Sequence, residues 1–339
     1  MNRLKGEAAC NVCGEHGQRP QFTAKDFRFN LPGEFRVYQC PSCGLAYIYP
    51  QPARDELRQY YPDNYYTHLP PSKSTRESLE SALLDFLFFI CEGAQAGKQT
   101  VARQVVHRAI DRIGILRHRV EVNALDFLTR NGGKFLEVGF GDGTFLDFAA
   151  ARGYTTYGVD PDPIACRGSR DRGHTIFCGD VMDARFPDGT FDFIRMRHAL
   201  EHVGDPTGIV RELYRAQKPG GYLFVEVPNI AGLLASIFRD RWVQLDAPRH
   251  LFHFTRNSLT LLLERAGYSV LRATFDTEPW HLMDSYSYLL QGMNSRQSLD
   301  LQRFLDYHNR RTVTFSLYTI SRFISEKGLG DNIIIVAQK

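Results

Sequence analysis

The sequence predicts a doubly wound α/β fold, in which helices cover both faces of a mostly parallel sheet, preceded by a small cysteine-rich segment. Three observations support this prediction. From Lys134 onward, short apolar runs alternate with stretches of helical spacing, and repeated βα units of this kind build a parallel sheet. A glycine-rich turn follows the first of these apolar runs, and two pairs of cysteines lie near the N-terminus.

Length and composition describe an ordinary globular chain. The 339 residues exceed one average domain, so we expect a main domain with smaller attachments. The 41 Lys and Arg residues nearly balance the 38 Asp and Glu residues, which does not favour a nucleic-acid partner. The N-terminus lacks the apolar stretch of a secretory signal. The most apolar run, 82–90, is shorter than the roughly 20 residues of a membrane span and predicts a buried or interfacial helix. We therefore expect a cytoplasmic protein without a membrane span.

The changes of pattern divide the chain into three parts. We expect a zinc-ribbon-like segment over 1–50 and an aromatic arm with a helical lid region over 51–130. The α/β domain should cover 131–339, with an insertion of helical spacing at about 277–330.

Four cysteines near the N-terminus form two Cys-x-x-Cys knuckles, each followed by glycine, and a strand over 35–39 should lead into the second. Four thiolates at this spacing predict one tetrahedral structural zinc site with no open position for catalysis. Such an ion would staple a segment too small to build its own core. The predicted zinc ligands are Cys10, Cys13, Cys40 and Cys43.

The apolar periodicity places the main elements of the α/β domain. Strands are predicted at 135–138, 155–159, 175–177, 191–194, 222–227, 268–275 and 332–336. Helices are predicted at 144–152 and 163–172, from Asp205–Pro206 to about 218, and after the N-cap residue Thr255.

The turn Glu137–Gly143 joins the first of these strands to a helix, where Gly139, Gly141 and Gly143 allow a ligand to approach the backbone near a helix N-terminus. The acidic Glu137 lies inside this motif. A turn that binds pyrophosphate would gain nothing from a carboxylate, whereas an acidic residue suits a cationic ligand. The turn therefore favours a cationic ligand.

At this motif and at three later ones, the chain resembles the class I S-adenosylmethionine (SAM)-dependent methyltransferases, and more closely the subgroup of the ubiquinone-biosynthesis O-methyltransferases. The resemblance implies a Rossmann-like sheet, with Asp160 binding the ribose hydroxyls of SAM and Asp180 contacting its adenine. The turn Gln217–Gly221 matches the family turn before the fifth strand. The alternative for either aspartate is that it caps the following helix. The predicted cofactor-binding residues are Glu137, Gly139, Phe140, Gly141, Gly143, Asp160, Pro161, Asp180, Val181 and Arg197.

The segment Arg197–His202 follows the fourth predicted strand, where doubly wound sheets open their ligand crevice. The ubiquinone-pathway relatives carry a metal-binding Glu-x-x-Glu-His pattern there. In this chain His198 replaces the first glutamate, while Glu201 and His202 are retained, and imidazole prefers softer ions than magnesium. Three alternatives stay open. His198 or His202 acts as general base, these two histidines and Glu201 bind a second divalent metal, or Glu201 and His202 only hold the loop.

A second segment, Trp242–Thr255, follows the fifth predicted strand and resembles a tryptophan-to-histidine segment of family members. His250 in this segment either faces the acceptor as a base or is a packed structural histidine.

The sequence therefore predicts a SAM-dependent methyltransferase with a structural zinc ion. We expect it to act on a small molecule, a sugar or a natural-product or polysaccharide precursor, with O-methylation favoured. One alternative is an RNA methyltransferase that holds its substrate with the ribbon. The other is a non-catalytic SAM-binding interaction module.

Overall fold

The computed structural model of the chain describes residues 9–62, 132–291 and 319–339. The predicted apolar helix at 82–90, the rest of the predicted lid region from 63 onward and residues 292–318 of the insertion lie outside the described residues. Within the described parts of the chain, no helix has the length and apolar character needed to cross a membrane.

A seven-stranded sheet forms the centre of the larger domain, and it confirms the predicted α/β class. Its first five strands along the chain pair in parallel, as expected of βα units. The last strand is antiparallel to both of its neighbours. In spatial order the strands are β6 (Thr175–Cys178), β5 (Tyr154–Asp160), β4 (Gly133–Val138), β7 (Phe191–Arg197), β8 (Gln217–Pro228), β11 (Asn332–Gln338) and β10 (Ser269–Asp276).

The helices connect these strands, and local capping explains several of their ends. Asp205 caps one helix by accepting a hydrogen bond from Gly208 N at 2.9 Å, and Thr255 caps another through Ser258 N at 3.1 Å. Such a cap stabilises a helix by about 1 kcal/mol. The helices are α1 (Arg54–Arg58), α2 (Thr144–Ala150), α3 (Pro163–Asp171), α4 (Val181–Ala184), α5 (Pro206–Ala216), α6 (Leu233–Phe238), α7 (Arg256–Ala266) and α8 (Pro279–Leu290). Residues 319–326 are also helical.

The apolar run of β11 is buried on both faces, because strands flank it and helices cover the sheet. Ile333, Ile334, Ile335 and Val336 are each at most 1% exposed. Burying one such side chain stabilises the fold by about 2 kcal/mol, so this strand anchors the sheet.

A second sheet joins the cysteine-rich segment to the larger domain. Its order is β1 (Arg19–Ala24), β2 (Phe35–Gln39), β3 (Ala46–Ile48) and β9 (Phe252–His253). The first three strands come from the segment, whereas β9 comes from the larger domain.

The cysteine-rich segment also shares the core of the larger domain. Cys10, Cys40 and Leu45 pack in the same apolar cluster as Phe252 and Phe254. The sequence predicted a segment held together by a metal ion alone. In the structure the segment instead shares an apolar core with the larger domain.

Candidate active site

The glycine-rich turn lies between β4 and α2, at the carboxyl edge of the sheet. Gly139 has a φ of 73°, and a Cβ there would lie 2.6 Å from the Cβ of Ala199. A side chain at this position would therefore clash with the loop after β7. Gly141 has a φ of 56°, and no atom lies within 4 Å of the place that its Cβ would take. The backbone at Gly141 thus borders open space.

Asp160 ends β5, beside this turn. One carboxylate oxygen accepts from Gly141 N at 3.0 Å and the other from Asp162 N at 2.9 Å, and the residue is 7% exposed. The carboxylate therefore ties the glycine turn to the loop after β5. Asp160 does not cap the following helix, since Asp162 does so by accepting from Ile164 N at 2.8 Å. Pro161, between the two aspartates, is exposed.

Asp180 caps α4 by accepting from Met182 N at 3.0 Å, as its alternative interpretation predicts. It follows β6, at the same edge of the sheet as Asp160. The cap engages one oxygen, so contact with adenine stays a prediction.

Glu137 lies beneath the turn and pairs with an arginine inside the protein. It is 2% exposed, and Arg195 on the neighbouring strand donates to its Oε1. The Arg195 guanidinium also lies 3.8 Å from the centre of the Phe145 ring. Burial raises the pKa of Glu137 to about 7, against the opposing charge of Arg195. The geometry places Glu137 in an internal ion pair with Arg195. The expected contact of Glu137 with a cationic ligand stays a prediction.

The side chains of Phe140 and Val181 lie in the apolar core, at 5% and 3% exposed, so a cofactor would meet their backbone rather than their side chains. Arg197 Nε donates to Glu226 Oε2 at 2.8 Å, and its Nη2 lies 3.7 Å from Glu278 Oε1. These contacts hold Arg197 at the end of β7.

His198 is held between two buried carboxylates. Its Nδ1 lies 3.3 Å from Glu201 Oε1 and its Nε2 lies 3.4 Å from Glu226 Oε1. Burial alone would lower the pKa of His198, but the hydrogen bonds and charges of Glu201 and Glu226 outweigh it and raise this pKa to about 9. The ring is therefore a cation at neutral pH with both nitrogens engaged. This geometry favours a clamped cation over a general base at His198.

The backbone of His198 is also held in an uncommon conformation. Its φ is 48°, in the left-handed region, which costs on the order of 1–3 kcal/mol for a non-glycine residue. Its N–H donates to Glu226 O at 2.9 Å, so the same residue fixes both the main chain and the ring.

His202 is partly exposed and has a defined tautomer. Its Nδ1 lies 3.0 Å from the carbonyl oxygen of Arg249 and 3.2 Å from the hydroxyl of Tyr61. A carbonyl only accepts, so Nδ1 carries a proton in this contact, and in that tautomer Nε2 is the acceptor.

His250 is 6% exposed and donates from Nδ1 to Gln244 O at 2.8 Å. Burial, assisted by the nearby His202, lowers the pKa of His250 to about 4, so the ring is neutral. This geometry supports the packed structural alternative for His250.

In the structure, the candidate second metal site has a different set of residues from the predicted one. Glu201, His202 and His250 each offer a ligand atom, and these atoms lie within 4.8 Å of one another. His198 is not in this group, because its nitrogens face Glu201 and Glu226. The three residues suit a metal ion of intermediate softness better than magnesium, since two of them bind through imidazole nitrogens.

The four N-terminal cysteines converge as predicted, with all four sulfurs within 4.8 Å of one another. Cys10 Sγ lies 3.6 Å from Cys43 Sγ, and Cys13 Sγ lies 3.4 Å from Cys40 Sγ. Four sulfurs at about 2.3 Å from a tetrahedral zinc would lie about 3.8 Å apart, so the cluster fits the ion.

Sequence reasoning missed several charged and polar residues that shape the crevice. Glu226 and Arg195 carry a signal that was available, because each interrupts an otherwise apolar strand. Asp26, Tyr61 and Arg249 carry no such signal, since their contacts join parts of the chain that are far apart in sequence.

Comparisons with known proteins agree with this geometry. A family model described as a methyltransferase domain matches residues 109–273. A ubiquinone biosynthesis O-methyltransferase of Pseudomonas putida is 30% identical over 139 residues, covering 37% of this chain and 60% of that protein. Its counterpart from Chromobacterium violaceum is 34% identical over 140 residues, with the same coverage. The chain thus spans about 60% of the length of these curated relatives.

The solved structure of a SAM-dependent methyltransferase from Archaeoglobus fulgidus aligns with 67% of this chain and 94% of that one, at 17% identity and a TM-score of 0.45. The family model and the sequence relatives, together with the glycine turn and the sheet order, show that the chain contains a methyltransferase domain of the class I SAM-dependent family.

Proposed function

We propose that the protein transfers the methyl group of SAM to a hydroxyl group of a small molecule, such as a sugar or a natural-product or polysaccharide precursor. The observation that carries this proposal is the joined pair of Asp160 and Gly141, where a buried carboxylate meets a glycine turn with open space above it. The name of the curated relatives supports a hydroxyl acceptor.

When bound, SAM supplies an electrophilic methyl group on a sulfonium. Asp160 would accept hydrogen bonds from the ribose hydroxyls, and Asp180 would contact the adenine. The backbone from Gly139 to Gly143 would hold the methionine part. Positioning of the two reactants then supplies much of the rate.

We assign the general base to His202. Its Nδ1–H is fixed by Arg249 O, and its Nε2 accepts the proton of the acceptor hydroxyl. The other two candidates are less suited to this role, because His198 is cationic and His250 is buried. If Glu201, His202 and His250 instead hold an ion, that ion would polarise the hydroxyl.

We also propose that the four cysteines bind a structural zinc ion. A closed shell of four thiolates has no position for substrate, so the ion contributes stability and not chemistry.

The test measures formation of S-adenosylhomocysteine from SAM with a panel of hydroxylated small molecules, including phenols and sugars. We expect turnover with at least one acceptor, and at least a 100-fold loss of kcat in His202→Gln with unchanged SAM affinity. The exposed His16→Gln is the matched control and should keep full activity. Full activity of His202→Gln would overturn the base assignment. Dependence on an added divalent ion, lost in His250→Gln, would support the metal alternative.

A further inference from the structure

A single arginine of the larger domain is buried against the cysteine-rich segment. Both the Arg249 and Asp26 side chains are 0% exposed. Arg249 Nη1 and Nη2 donate to the two carboxylate oxygens of Asp26 at 3.1 and 2.7 Å. Its Nη1 also donates to Tyr60 O at 2.9 Å. The guanidinium thus has a two-pronged contact with a residue 223 positions earlier in the chain.

The other edge of the same guanidinium meets a second carboxylate. Arg249 Nε and Nη2 donate to the oxygens of Asp246 at 3.1 and 2.7 Å. Arg28 Nη1 lies 3.5 Å from Asp246 Oδ2 and adds a further positive charge. Because two forked contacts define the plane of the guanidinium, they also restrict the main chain that carries it.

The main chain of Arg249 in turn holds the proposed base. Arg249 O lies 3.0 Å from His202 Nδ1, and this contact places the ring proton on Nδ1. A rotation of the 249 peptide would remove this acceptor. Nδ1 would then face the Tyr61 hydroxyl, which both donates and accepts and so does not fix the tautomer. The ring could turn or carry its proton on Nε2, and in either case the base would be lost.

We propose that Asp26, in the cysteine-rich segment, is a positioning residue for His202, acting through Arg249. This inference rests on the proposed role of His202. It makes the cysteine-rich segment a part of the active site, because its carboxylate sets the orientation and the tautomer of the base. A zinc ion held by the four cysteines would then have an indirect role in the reaction, since it would stabilise the segment that carries Asp26.

Three variants of the full-length, zinc-loaded protein test this inference. Asp26→Asn keeps the shape and removes the charge, and Asp26→Glu restores the charge. Glu34→Gln is the control, because Glu34 is an exposed carboxylate of the same segment that pairs only at the surface with Lys25. The readouts are kcat with an acceptor from the panel, SAM affinity, zinc content and the ¹⁵N shifts of the His202 ring, assigned by their loss in His202→Gln.

We expect Asp26→Asn to lose at least tenfold in kcat, with SAM affinity and zinc content unchanged, and to shift His202 from the Nδ1–H form to mixed tautomers. Asp26→Glu should recover most of the kcat. Adding Asp26→Asn to His202→Gln should cause little further loss, because both changes act on one base. A folded Asp26→Asn protein with the kcat and His202 shifts of the parent would overturn the inference, as would losses that multiply in the double variant.

If Asp26→Asn does not fold, Arg249→Lys replaces it as the test. An ammonium keeps the charge but cannot bridge both carboxylates as a fork. It should lower kcat at least tenfold and change the His202 shifts, and parental values of both would overturn the inference. Full activity of His202→Gln alone would contradict the proposed base, whereas the ring shifts report on Asp26 without any turnover.

Discussion

The two carboxylates that clamp His198, Glu201 and Glu226, should make the protein lose stability as the pH becomes alkaline. In the folded state the ring holds its proton up to a pKa of about 9, because Glu201 and Glu226 flank it. An unfolded chain releases this proton near pH 6.5. The stabilisation is therefore complete below about pH 6.5 and is lost as pH rises through 9.

The shift from about 6.5 to about 9 corresponds to about 3 kcal/mol, at about 1.4 kcal/mol per pH unit. This value is an upper limit, since 25% of the side chain is exposed and solvent screens the charges.

The assay compares the free energy of unfolding in urea for the parent protein and His198→Gln from pH 6 to pH 10. The variant leaves two buried carboxylates without the imidazolium, so it should be less stable by up to about 3 kcal/mol near pH 6.5. This difference should shrink towards pH 10, where the parent ring becomes neutral. A difference that stays constant over the whole range would refute the account of His198 as a clamped cation.

Three further predictions concern the cofactor turn and the cysteines. Asp160→Ala should weaken SAM binding by at least tenfold in calorimetry, because a charged hydrogen-bond acceptor contributes about 1.5–3 kcal/mol. Asp162→Ala removes the helix cap and should leave SAM affinity unchanged. Gly139→Ala should lower the thermal unfolding temperature and weaken SAM binding, since its Cβ would lie 2.6 Å from that of Ala199, and parental values of both would contradict the close approach. Cys40→Ser should abolish zinc binding in elemental analysis and lower the unfolding temperature. A chelator should then have no further effect on the unfolding temperature of this variant. Zinc retained at one ion per chain would contradict the four-cysteine site.

The strands and helices of the larger domain were predictable because their apolar patterns are local. The predicted strands at 155–159 and 332–336 lie within the observed β5 and β11. The cap at Asp162 had a usable signal too, because Pro163 favours the first turn of a helix and the residue before it is an aspartate. The alternative interpretation of Asp160 as the cap overlooked this signal.

The electrostatics of the crevice were not predictable in the same way. A histidine near a glutamate three residues later does not reveal that a second carboxylate, Glu226, approaches from another strand. This second charge turns His198 from a candidate base into a cation. The same holds for Asp26 and Arg249, whose pairing depends on the docking of β9 against β3 and not on any local pattern.

The central claim is that the glycine turn and Asp160 form a SAM site. Titration calorimetry of the zinc-loaded, full-length protein tests it most directly. We predict saturable binding of one SAM and of one S-adenosylhomocysteine per chain, each displacing the other. A folded protein that gives no binding heat and no thermal stabilisation with either ligand would contradict the account.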